Sequence, residues 1–203
     1  MNRAAAFEVV ERFEAAVAEY TGAPFAVAVD SCTNAIFLAL VWWRLTNPRD
    51  PKCVVLPSYT YVGVAQAVRN AGVHIKWQDF AWGGKYLIWP SPVWDAAKRF
   101  TSGMYRSGTL TCLSFQAGKI LPIGRGGAIL TDSLEARDWL RRARFDGRTP
   151  GDDAAPITTP GWHMYLTPPE AARGLWLLSW LPKDNADLPC DEYEDLSTME
   201  AFR

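Results

Sequence analysis

The chain has 203 residues, 49% of them hydrophobic and 21% charged, with a formal net charge of −1. That balance describes a soluble globular protein with a real core, and it leaves no overall electrostatic pull toward nucleic acid or a membrane surface. No apolar run nears the ~18 residues of a membrane span and no signal peptide opens the chain, so a cytoplasmic location is expected. Four cysteines, Cys32, Cys53, Cys112 and Cys190, show neither pairing nor metal-ligand spacing, and no metal site is expected. Ten tryptophans suggest large apolar surfaces, some of them meeting a partner subunit.

In chain order, residues 4–20 carry Phe7, Val10, Phe13, Val17 and Tyr20 at helical spacing, and Thr21-Gly22 ends that helix. Phe25–Val29 reads as a strand, and a helix follows from Ala35 to about Leu45, opened by Ser31-Cys32-Thr33-Asn34. Strand Lys52–Leu56, helix Tyr61–Ala71 and strand Val73–Trp77 come next. A loop over 80–92 holds a short strand at Tyr86–Trp89, and Val93–Asp95 is a further strand end. Strands Leu110–Phe115 and Gly127–Thr131 bracket a glycine-rich turn containing Lys119. Ser133 caps a helix to about Phe145, residues 149–163 form a loop, and Glu170–Leu181 is an apolar helix. The alternation predicts an α/β fold, a three-layer sandwich around a mostly parallel sheet. Residues 1–181 are expected to form one domain and 182–203 an acidic C-terminal tail with little core potential.

Charge is distributed unevenly. Ten Lys or Arg face four acids between Lys98 and Arg148, and Asp184–Glu200 holds seven acids and no base. The basic block reads either as a solvated helix face around Arg137, Arg141, Arg142, Arg144 and Arg148 or as a surface for a phosphate-bearing substrate.

Three features would converge at the carboxyl ends of strands, where open α/β sheets bind ligands. The turn at Ser31–Asn34 offers backbone N–H groups and a helix dipole to a phosphate, or is a plain N-cap by Ser31 or Thr33. Asp95 ends a buried strand, where it caps the chain or keeps a pyridine nitrogen protonated. Lys119 is either a surface loop lysine or a desolvated amine, easier to deprotonate and able to hold an aldehyde cofactor as a Schiff base. In this order the three match what pyridoxal 5'-phosphate requires.

The motifs resemble the DegT/StrS group of sugar aminotransferases, fold-type I pyridoxal-phosphate enzymes. The likeness rests on Phe13-Glu14 with Tyr20-Thr21-Gly22, on Asp30 to Ala35, and on Leu56 to Val62. It continues through Asp95-Ala96-Ala97, Ser114 to Lys119 with Gly124 to Ala128, and Gly161 to Tyr165 with Ala171 to Leu175. The resemblance implies the large domain of that fold, with Lys119 forming the internal aldimine and Asp95 pairing with the pyridine nitrogen. It implies Tyr61 stacked on the ring, and Cys32, Thr33 and Ser114 holding the phosphate. His163, where the family has an asparagine, would reach the phosphate of a neighbouring subunit, so a homodimer with active sites at the interface is implied. Lys98 replaces a glutamine on the substrate side, where it would hold a carboxylate or phosphate or simply start a loop. Relatives continue into a small C-terminal domain that helps close the site, and a truncated form lacking it is expected here.

The expected activity is amino transfer from a small-molecule amino donor to a keto or aldehyde acceptor. Two other readings stay open. One is a pyridoxal-phosphate decarboxylase of an amino acid carried on a bulky substrate, such as a modified nucleobase in viral DNA. The other is a non-catalytic remnant acting as a binding module.

Overall fold

The structure is a computed structural model that describes residues 3–50, 52–149, 156–190 and 193–202. Part of the expected loop, 150–155, and two of the tail acids, at 191 and 192, lie outside the described residues.

Helix α1 (Arg3–Thr21) is followed by β1 (Phe25–Val29), α2 (Cys32–Thr46), β2 (Cys53–Pro57), α3 (Val62–Asn70) and β3 (His74–Gln78). Strands β4 (Tyr86–Leu87), β5 (Val93–Asp95), β6 (Leu110–Ser114) and β7 (Gly127–Thr131) come next, then α4 (Leu134–Ala143) and α5 (Pro168–Leu178). Helix α2 starts three residues before the expected Ala35, because the Ser31 hydroxyl already accepts from the Asn34 N–H at 3.1 Å and closes the first turn. Ser133 caps α4 in the same way through Ala136 N–H, with Glu135 in its first turn and Arg141 and Arg142 in its last, as the helix dipole favours. Helix α5 opens with Pro168 in its first turn and the Glu170 carboxylate accepting from Thr167 N–H.

The main sheet has the order β1-β7-β6-β5-β4, and β2 pairs with β3 apart from it. The mixed α/β class is as expected, but parallel pairs do not dominate. Only β5 with β6 and β2 with β3 run parallel, whereas β7 runs against both β1 and β6, and β4 against β5. The chain turns straight back between β4 and β5 and across the Lys119 turn between β6 and β7, and both pairs are antiparallel; β5 and β6 run parallel although no helix lies between them.

Alternating side chains of the central strands feed two cores, which gives the three layers. Val27, Val29, Cys112 and Ile129 meet α2, α3 and α4 on one face. Ala26, Ala28, Leu113, Ala128 and Leu130 meet α1 and α5 on the other. Buried Glu14 of α1 joins the layers: it accepts from Ala28 N–H at 2.8 Å and Arg141 at 2.7 Å, and it pairs with buried Arg144. Part of the basic block therefore lies inside the fold.

The C-terminal segment does contribute to the core, against expectation. Leu196 is buried in the first cluster and donates its N–H to Ser58 O at 2.9 Å. Asn185 bonds Tyr20 and the Phe100 carbonyl, Asp187 pairs with Arg99, and Leu188 N–H reaches Lys98 O. The segment is acidic, yet it brings enough backbone donors and apolar side chains to dock along one edge of the molecule. Among the described residues, no helix is long and apolar enough to cross a membrane.

Candidate active site

A cavity of about 310 Å³ opens where β1, β5, β6 and the first turn of α2 meet, within the usual range for a small-ligand site. Asp30, Ser31, Cys32 and Thr33 form one side, Thr60, Tyr61 and Trp82 another, and Asp95 and Ala97 the floor. Ser114, Gln116, Lys119 and Gly124–Gly126 complete it, with Tyr193 reaching in from the C-terminal segment.

The α2 end is held tightly. Gly127 lies against the Ser31–Cys32 peptide, and a Cβ there would come within 2.6 Å of the Ser31 carbonyl carbon and the Cys32 nitrogen. Any side chain at 127 would therefore push the α2 turn away from β7. Asn34 and Arg125 both bond the Asp30 carboxylate, at 2.7 and 3.0 Å, so a cation stands at the mouth. Cys32 is buried, and desolvation pushes its thiol well up, reinforced by the charge of Asp95 and by Cys112. It stays a neutral thiol.

The lysine turn is rigid at both ends. Phe115 N–H bonds Gly126 O at 2.9 Å, Gly124 N–H bonds Phe115 O at 3.1 Å, and Lys119 N–H closes onto Gln116 O at 2.9 Å. Leu121 and Ile123 plug the turn into the second core. Gly126 sits at φ +128°, a conformation that glycine adopts at little cost and side chains avoid. The outcome is a half-buried Lys119 that faces the cavity, less enclosed than expected.

Asp95 is 4% exposed at the end of β5. Burial raises its carboxyl above the usual range, opposed by the Ala97 N–H at 2.9 Å, by the Tyr86 hydroxyl and by the charge of Lys119. Lys119 and Asp95 thus line one cavity and feel each other's charge.

Of the residues expected to act, Lys119, Asp95, Cys32, Thr33, Tyr61 and Ser114 all line this cavity. Lys98 and His163 do not. Lys98 is buried beside the cavity with its Nζ 5.2 Å from the Tyr193 ring centroid, so it is no solvated loop start. His163 is exposed, bonds Asp146 at 3.2 Å and packs on Tyr165. Sequence reasoning missed Trp82, Tyr86, Thr60 and Tyr193. Trp82 packs on both Tyr86 and Tyr193 and donates to Tyr59 O at 2.9 Å. Trp82 and Tyr86 share one signal, the dense aromatic run after Phe80; Thr60 and Tyr193 lie outside it.

The sequence matches the profile of the DegT/DnrJ/EryC1/StrS aminotransferase family over residues 3–103 and 94–187. No curated protein sequence matches it. Among solved structures, AtS13 from Actinomadura melliaura superposes with a TM-score of 0.73 at 22% identity, over 85% of this chain and 60% of that one. Sugar aminotransferase CalS13 from Micromonospora echinospora gives 0.67 at 22% identity over 86% and 61%. DesV from S. venezuelae gives 0.65 at 22% over 85% and 57%. This chain thus spans about three fifths of these solved relatives.

Proposed function

We propose, since this chain belongs to the DegT/DnrJ/EryC1/StrS aminotransferase family, that it moves an amino group from an amino acid to a keto or aldehyde carbon. Membership implies pyridoxal 5'-phosphate as the cofactor. The single observation that carries the reading is that the Lys119 amine and the buried Asp95 carboxylate line one cavity and are electrostatically coupled across it.

The donor set suits that cofactor. A buried carboxylate is costly unless a cationic or hydrogen-bonding partner meets it, and a protonated ring nitrogen is such a partner. The N–H groups of the first α2 turn and the hydroxyls of Thr33 and Ser114 suit a phosphate. When bound, the cofactor supplies a carbonyl that links to amines and a ring that accepts an electron pair.

Each residue then has a defined task. Asp95 holds a proton at the ring nitrogen, Tyr61 covers a ring face, and Cys32, Thr33 and Ser114 fix the phosphate. Lys119 would hold the cofactor through its amine and would carry a proton to and from the substrate carbon. We assign a homodimer with the cavities at its interface. The exposed Trp176, in the last turn of α5, and Trp180, just beyond it, support a covered face, and His163 would serve only from the partner subunit. Arg144 is committed to Glu14 inside the fold, so the basic block gives reduced support to a nucleic-acid-linked substrate.

The test is to load the protein with pyridoxal phosphate, remove excess, and add glutamate without an acceptor. One equivalent of 2-oxoglutarate per site and no carbon dioxide is the expected result. Carbon dioxide release would replace amino transfer with decarboxylation, and failure to retain the cofactor would leave only the binding module.

A further inference from the structure

Tyr86 occupies a position that the expected chemistry does not use. It lies directly across from Asp95 in the antiparallel β4–β5 pair, and both side chains are buried. Its hydroxyl is 2.6 Å from Thr60 Oγ1, also buried, and the register sets its side chain beside that of Asp95, whose carboxyl it helps to hold down toward the ordinary range. An ionised carboxylate only accepts, so a Tyr86 proton given to Asp95 leaves the Thr60 hydroxyl to donate to the Tyr86 oxygen. The other side chains that feel the Asp95 charge across this wall, Cys32 and Cys112, are neutral thiols and weak donors. Trp82 packs edge-on to the Tyr86 ring at 4.8 Å and limits its movement.

We propose that Tyr86 is a positioning residue: relayed from Thr60, its hydroxyl fixes the orientation and ionised state of Asp95 so that the carboxylate meets the cofactor's ring nitrogen. The inference rests on the proposed assignment of Asp95 and adds a residue that no motif of the chain contains. Burial alone would favour the neutral acid, which cannot balance a protonated ring. The Tyr86 donor, the Ala97 N–H and the Lys119 charge oppose that tendency.

The experiment compares equilibrium affinities for pyridoxal phosphate and for its 1-deaza analogue, in which carbon replaces the ring nitrogen. Tyr86→Phe keeps the ring and its packing and removes only the hydroxyl. Wild type is expected to prefer pyridoxal phosphate over the analogue. Y86F is expected to lose about tenfold or more in affinity for the natural cofactor, the usual worth of a hydrogen bond to a charged group, while binding the analogue within about twofold of wild type. Thr60→Val, which withdraws the relay without touching Tyr86, should shift the preference in the same direction by a smaller factor, and it serves if Y86F does not fold. Equal losses for both ligands would make Tyr86 a packing residue and overturn the proposal, as would no loss for either. A wild type that does not discriminate between the ligands would instead remove Asp95 from the ring nitrogen, and the Tyr86 role with it.

Discussion

Replacing Glu14 by alanine tests whether the basic block belongs to the fold or to a ligand surface. Glu14 is 2% exposed and its carboxylate accepts from Ala28 N–H, Arg141 and Arg144. Its loss strands a buried N–H, a penalty of about 1–3 kcal/mol. It also leaves the Arg144 guanidinium buried, with the Ala28 carbonyl as its remaining acceptor among the described residues. Breaking a buried ion pair from one side costs about 3–5 kcal/mol in all. Arg141, with 35% of its side chain exposed, can turn to water and adds under about 1 kcal/mol. The expected loss is therefore about 3–5 kcal/mol, read as a lower urea midpoint at unchanged slope. In a chain of this size it corresponds to a melting point roughly 6–20 °C lower. The double variant E14M/R144M should recover most of the loss, because it leaves no buried charge unpaired. A Glu14→Ala loss below about 1 kcal/mol would refute the reasoning and return Arg144 to the pool of available cations.

Two further outcomes follow from burial. In cofactor-free protein, Asp95 binds its proton more tightly folded than unfolded, because burial raises its carboxyl. Its contribution to stability should therefore grow as pH falls from its raised value toward the ordinary carboxylate range, and fade as pH rises through that raised value. The wild-type minus Asp95→Asn difference in urea midpoint isolates this dependence, and a flat or reversed difference would contradict it. Leu196→Ala should cost about 2–4 kcal/mol, since the side chain is 3% exposed in the main core; a cost below about 0.5 kcal/mol would return 182–203 to the status of a tail.

Local chemistry was readable from the residues, and long-range pairing was not. Lys119 could be placed because glycines and flanking apolar strands mark its turn, and Asp95 because it ends an apolar run. Ser31 announced a helix start, though whether Ser31 or Thr33 supplied the cap, and hence whether Cys32 and Thr33 stood in the first turn, depended on the hydrogen bond to Asn34. Tyr86 opens a strand that was expected, at Tyr86–Trp89 and two residues longer than β4, but its task was hidden because only its register opposite Asp95 gives it one. Tyr193 was hidden because acids dominate its segment, while the docking contacts come from backbone groups and from Leu196, far from the partners in sequence. Lys98 was assigned to the substrate side from its place after Asp95-Ala96-Ala97, but the chain turns there and sets its amine against Tyr193. Strand direction was not readable from the connections: no helix joins β5 to β6 or β6 to β7, yet the first pair is parallel and the second antiparallel.

The central claim is tested most directly by trapping. Protein incubated with pyridoxal phosphate, reduced with borohydride and digested should yield one peptide bearing the reduced cofactor, modified at Lys119, and Lys119→Ala should yield none. Label at Lys98 or spread over surface lysines, or undiminished label in the Lys119→Ala protein, would contradict the account.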